Sequence, residues 1–148
     1  MDLLIMSWLE ATEHKPTKPT YAIQIFSSSD ILKDKKLYPL QDSPYYAHVA
    51  CYVFDDNDQQ YRAGPISLDE HMAEALLHDF DTHRLSVQAL LVHCALGKNR
   101  SPAVGLALNE IFKLGCNSEA LREQYAGLNR EVYQTLITTA QKLFQQPL

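Results

Sequence analysis

Short apolar runs alternate along this chain with stretches whose apolar residues fall three and four positions apart, and the second kind dominates after residue 65. Residues 3–6 (Leu-Leu-Ile-Met) and 21–26 (Tyr-Ala-Ile-Gln-Ile-Phe) predict strands. Between them residues 7–14 form a helix or turn, which Lys15-Pro16-Thr17-Lys18-Pro19 breaks. Ser27-Ser28-Ser29-Asp30 is a polar loop, and residues 31–45, with Pro39 and Pro44, read as surface loop with a turn of helix. Residues 46–54 alternate weakly and are β-rich, a further strand, and Asp55-Asp56-Asn57-Asp58 opens a polar loop that runs to Pro65.

From there the helical period takes over. Ser67-Leu68-Asp69-Glu70 has the spacing of a capping box, and Leu68, Met72, Ala73, Leu76, Leu77 and Phe80 form a core-facing stripe behind it. Residues 86–93 are a Val/Leu-rich run short enough to be a buried strand. A helix opens at Ser101-Pro102 and ends at Gly115, a good residue just past a helix end. Asn117 or Ser118 caps a short helix to Tyr125, and Asn129 caps the last, where Val132, Leu136, Ala140 and Leu143 share a face. Strands interleaved with helices predict a single α/β domain, with a mostly parallel sheet of four to five strands flanked by helices.

The chemistry concentrates where the buried strand meets the helix from Ser101. Residues 93–101 read His-Cys-Ala-Leu-Gly-Lys-Asn-Arg-Ser. Strand, tight loop and helix N-terminus follow in the order an anion site requires. The backbone N–H groups of Ala95, Leu96, Gly97, Lys98, Asn99 and Arg100, with the positive end of the helix, suit a dianionic phosphate. The same field favours the ionised sulfur of Cys94. Arg100 has the planar fork to grip two phosphate oxygens. Gly97 lets the loop turn, Ser101 is placed to donate a hydrogen bond to the Cys94 sulfur, and His93 points away and steadies the loop.

Composition adds limits. At 148 residues the chain suits one core, burying roughly two thirds of its unfolded surface. The net charge of −5, with no basic run, argues against a nucleic-acid partner. Cys51, Cys94 and Cys116 have neither metal-ligand spacing nor the look of a disulfide framework, which fits a reducing compartment. The N-terminus is apolar but short, with an acid where a signal peptide has a base. No run is long enough to span a membrane. The expectation is a cytoplasmic protein.

The His-Cys-x5-Arg-Ser loop resembles the signature of the cysteine-dependent protein tyrosine phosphatases. The Arg-Ser-Pro-Ala-Val continuation is most similar to the dual-specificity and bacterial tyrosine-phosphatase-like branch. The resemblance is tight over residues 90–112, looser from Val49 onward, and slight over residues 1–40. It implies a phosphomonoesterase that forms a cysteinyl-phosphate on Cys94, needs no metal or cofactor, and acts on phosphorylated proteins. It also implies an aspartate, on a loop some way before the cysteine, that protonates the leaving oxygen. Asp56 best matches the family's apolar-x-Asp pattern, Asp55 stands second, and Asp58 lies in the same loop.

The remaining residues attract plainer readings. Lys98 is either a solvated rim residue or extra charge for a more highly phosphorylated substrate. His71, His78 and His83 lie along one helix without facing carboxylates, so no metal is expected of them, and His48 suits a local hydrogen bond. Cys51 and Cys116 read as core or near-surface thiols, and a Cys51–Cys94 disulfide that protects Cys94 in oxidised protein is the alternative for Cys51. Asn129 and Arg130 read as a helix cap and turn. A phosphoinositide, an inositol polyphosphate or an RNA 5′-phosphate would use the same loop chemistry, and a pseudophosphatase would keep the pocket without turnover. The Arg-Ser-Pro helix start disfavours a rhodanese, and the depth of the loop in the chain disfavours an arsenate reductase.

Overall fold

The computed structural model describes residues 1–32 and 39–145. Four strands are present, β1 (Asp2–Ser7), β2 (Thr20–Phe26), β3 (Tyr46–Val53) and β4 (Ala89–Cys94). They pair in the order β1-β4-β2-β3, every pair parallel. Six helices accompany them: α1 (Trp8–Glu13), α2 (Ser28–Leu32), α3 (Glu70–His83), α4 (Arg100–Phe112), α5 (Ser118–Gln124) and α6 (Arg130–Phe144). The expected α/β class holds, at four strands and with no antiparallel member among the described residues.

Period-two alternation divides the sheet between two cores. Tyr21, Ile23 and Ile25 of β2, with Leu90, Val92 and Cys94 of β4, face the layer of α3, α4 and α6. Ala22 and Leu91 face the other way, onto Ala11, Leu4, Met6 and Leu40. The inner strands β2 and β4 are buried along their whole length, as parallel strands covered on both faces should be. At the edge, β3 alternates between exposed and half-buried residues.

Because all four strands run the same way, their carboxyl ends gather on one rim. That rim collects Ser7 and α1, the Ser27 segment, the loop from Phe54, and the loop after Cys94. Chemistry in open α/β sheets sits at this end for the same reason.

Several helix ends differ from the expectation. α3 is capped by Asp69, which accepts from Met72 N at 2.8 Å, while the Ser67 hydroxyl accepts from the Asn57 amide at 2.9 Å. The true capping box lies at Ser7 and Glu10, opening α1. α4 ends on Lys113 in the left-handed region, with Gly115 two residues beyond its end. The Ser27–Asp30 stretch is not all loop, since α2 begins at Ser28. Part of the 31–45 loop, residues 33–38, lies outside the described residues.

Candidate active site

The loop between β4 and α4 is shaped by one close approach. Gly97 has φ +70° and rests on the end of β1, where an added Cβ would lie 2.6 Å from Ser7 N and 2.7 Å from the Met6 carbonyl carbon. Only glycine fits both the backbone angle and the space. The carbonyls of Ala95 and Asn99 turn outward, to Trp8 N and to Asn129 N and Ala103 N. None of the N–H groups from Ala95 to Asn99 donates to an acceptor among the described residues. Leu96 and Lys98 stand exposed on the rim.

Cys94 is buried at the floor of the loop. Its Sγ lies 3.2 Å from Ser101 Oγ and 3.4 Å from Ser101 N, the second residue of α4. The N-cap residue, Asn99, makes no side-chain cap bond, so the cysteine sulfur takes the place that a capping oxygen usually fills. The sulfur therefore meets an N–H dipole and a hydroxyl at once.

Arg100 is also buried, and one of its nitrogens is fixed. Nη1 donates to Ser27 Oγ at 2.8 Å and to the Phe54 carbonyl at 2.9 Å. Nε and Nη2 have no hydrogen bond among the described residues, which leaves one edge of the guanidinium for a ligand. Ser27 and the Phe54 carbonyl were not legible as site residues, since a serine in a polar loop and a backbone oxygen carry no local signal.

The acidic loop is knit by side chains. Asp55 accepts from Ser28 N, Ser28 Oγ and Ile66 N, each at 2.9 Å. Burial pushes the Asp55 carboxyl up, but these bonds and the nearby Arg100 charge outweigh it and hold the group below the usual carboxylate value. Gly64 passes so close that a Cβ there would lie 2.4 Å from that carboxylate. Asp58 accepts from Gln59 N and bridges to Tyr61 within its own loop.

Asp56 faces the cysteine loop. Its Oδ2 accepts from Asn99 Nδ2 and its Oδ1 from Asn129 Nδ2, both at 2.8 Å. Asn129 is buried and does four things: its Nδ2 also reaches the Asn57 carbonyl, its Oδ1 caps α6 at Val132 N, and its backbone N–H holds the Asn99 carbonyl. The sequence reading of a helix cap is right but incomplete. The signal was the choice of asparagine, which unlike aspartate or serine keeps two N–H donors after capping.

His93 sits on the opposite face of β4 from Cys94. It shares a hydrogen bond with Gln24 Oε1 at 3.1 Å and packs edge-on to Phe26. Burial pushes its pKa down to about 4, the Cys94 backbone opposing weakly, so the ring is neutral at pH 7 and donates Nε2–H to the glutamine. Gln24 Nε2 in turn reaches Cys51 Sγ at 3.3 Å. This overturns the Cys51–Cys94 disulfide. Cys51 pairs across β2 from His93, so two strand spacings, roughly 10 Å, separate the cysteines. Their side chains point to opposite faces, beyond the reach of a disulfide.

No family model and no curated protein matches the chain. Among solved structures it is similar to the crystal structure of Tk-PTP in the active form, at 17% identity and a TM-score of 0.47, over 81% of this chain and 80% of that one. No helix among the described residues is long and apolar enough to cross a membrane.

Proposed function

We propose that the chain is a cysteine-dependent phosphomonoesterase, most simply a dual-specificity or tyrosine phosphatase of phosphorylated proteins. The observation that carries this reading is the placement of Cys94 Sγ as acceptor for the N-terminus of α4, within 3.2 Å of Ser101 Oγ, in a loop whose N–H groups are unspent. Such a site binds an anion and presents a nucleophile to it.

In the proposed reaction the Cys94 sulfur attacks phosphorus in line and the P–O bond to the leaving group breaks. The loop amides and the free edge of Arg100 hold the equatorial oxygens, where charge is spread in the transition state. Ser27 and the Phe54 carbonyl keep the guanidinium in register. Asp56 gives a proton to the departing oxygen. That step requires one of its amide bonds to open, and the bond to Asn99, on the cysteine loop itself, is the one a bound substrate is placed to replace. Water then attacks the phosphocysteine, Asp56 takes its proton, and Ser101 Oγ donates to the leaving sulfur. Asp55 is the weaker candidate for the acid, because its oxygens already hold the loop together.

Hydrolysis of para-nitrophenyl phosphate in EDTA tests the reading. The wild type is expected to turn over and to be blocked by vanadate, and Cys94→Ser to fall to background while still binding vanadate. A folded, reduced wild type without turnover would leave a phosphate-binding module instead. A panel of phosphopeptides and phosphoinositides then ranks substrates, with Lys98→Ala reporting whether rim charge favours more than one phosphate.

A further inference from the structure

At the other end of the strands, His48 of β3 and Asp79 and His83 of α3 come together around one carboxylate. Each offers a donor atom, and the three lie within 4.8 Å of one another. His48 Nε2 is 2.8 Å from Asp79 Oδ2, His83 Nδ1 is 3.8 Å from Asp79 Oδ1, and the two rings stack at 4.0 Å. We propose that His48, Asp79 and His83 are a binding site for a divalent metal of the zinc, nickel or copper type.

Donor chemistry selects that class. Two imidazoles and one carboxylate suit borderline transition ions, whereas calcium and magnesium take sets made of oxygen. Three protein ligands with water in the open position is an arrangement zinc adopts. Asp79 and His83 stand one helical turn apart at the end of α3, and His48 comes from a paired strand, so all three ride on regular elements.

One contact behind the ligands has the form such sites use. The buried Tyr21 hydroxyl donates to Asp79 Oδ2. His83 Nδ1 also lies 2.8 Å from the Asp79 backbone carbonyl, a contact the ring gives up if Nδ1 is the atom that binds the ion. Each imidazole is about a third exposed, so an ion and its waters can reach it from solvent. His71 and His78 are exposed and belong to no such group among the described residues.

The site is separate from the proposed chemistry. His48 pairs with Tyr21, Tyr21 pairs with Leu90, and Cys94 lies four residues further, on the order of 13 Å along the strand. A bound ion would tie the end of α3 to the edge strand β3 and stiffen that corner.

Calorimetric titration of the full chain with Ni²⁺, followed by Zn²⁺, tests the proposal alongside thermal melts. One equivalent bound and a raised midpoint are expected. Both should vanish in His48→Gln/His83→Gln, and Tyr21→Phe should weaken binding by about 10- to 100-fold. If the double variant fails to fold, His83→Gln alone at the exposed helix end carries the test. No saturable binding, binding that survives the histidine substitutions, or a thiolate-to-nickel absorption band that assigns the ion to a cysteine would overturn it.

Discussion

The two loops that meet at the carboxyl rim are built in opposite ways. The one after Cys94 is a backbone object: a strand delivers it, Gly97 lies against the end of β1, and a helix begins where it ends. The one after Phe54 is a side-chain object, held open by Asp55 on Ser28 and Ile66, by Asn57 on Gly64 and Ser67, and by Asn129 from another helix. A backbone loop is written in consecutive residues. A side-chain loop is assembled from residues 73 positions apart, the separation of Asp56 from Asn129.

The largest effect that sharpens this contrast comes from Asp56→Asn. It keeps a partner for Asn99 or Asn129 but removes the proton, so kcat for an alkyl phosphate should fall by about 10²- to 10⁴-fold. For para-nitrophenyl phosphate, whose leaving group needs no proton, kcat/KM, which reports the first transfer, should fall little, and any loss in kcat reports the lost base toward water. Equal losses of kcat/KM on both substrates would mean that Asp56 is not the acid.

Asn129→Ala breaks the join between them. It strips one donor from Asp56, the partner of the Asn57 carbonyl, and the cap of α6. A cost of about 2–4 kcal/mol in denaturant melts is expected from one lost cap and the unpaired buried groups. The slow step toward alkyl phosphates should suffer more than vanadate binding does, since the cysteine loop keeps its own backbone form. Vanadate affinity falling in step with kcat would show that the two loops are one unit.

The smallest effect concerns the face of β4 behind Cys94. His93 is held neutral with a pKa of about 4, against about 6.5 unfolded, so the unfolded chain takes up a proton first as pH falls. Stability contributed by the neutral ring is present above pH 6.5 and is lost between pH 6.5 and 4. Lowering the pH from 6.5 to 5 should cost about 2 kcal/mol. Asp55, shifted down, adds its own loss only below its ordinary value of 3.8. Urea melts across that range in wild type and His93→Gln check the sign, because the substitution should flatten the upper part of the slope.

This contrast also explains what was legible beforehand. Cys94, Arg100 and Ser101 stand within eight consecutive residues, whose types and order point to the candidate site. The four strands followed from short apolar runs, and the caps at Asn117 and Asn129 from residue type. Ser67 was misread because two candidate caps stood two residues apart, and Asn57 had already taken the serine hydroxyl. Ser27 and the second use of Asn129 were invisible, since their partners are fixed only when β3, α4 and α6 have packed. The His48–Asp79–His83 group escaped for the same reason: a helix wheel places His83 but not the strand residue beside it.

One consequence of the strand order concerns synthesis. β4 lies between β1 and β2, yet it is the last of the four to be made. A chain emerging from the ribosome can pair β2 with β3 before β4 is made, whereas Leu3-Leu4-Ile5-Met6 has its partner strand only once β4 appears. Non-local closure of this kind is slow and exposes sticky edges to other chains. The strand that completes the sheet is also the one that carries Cys94, so the loop proposed here to hold a phosphate takes its form only when the sheet is whole.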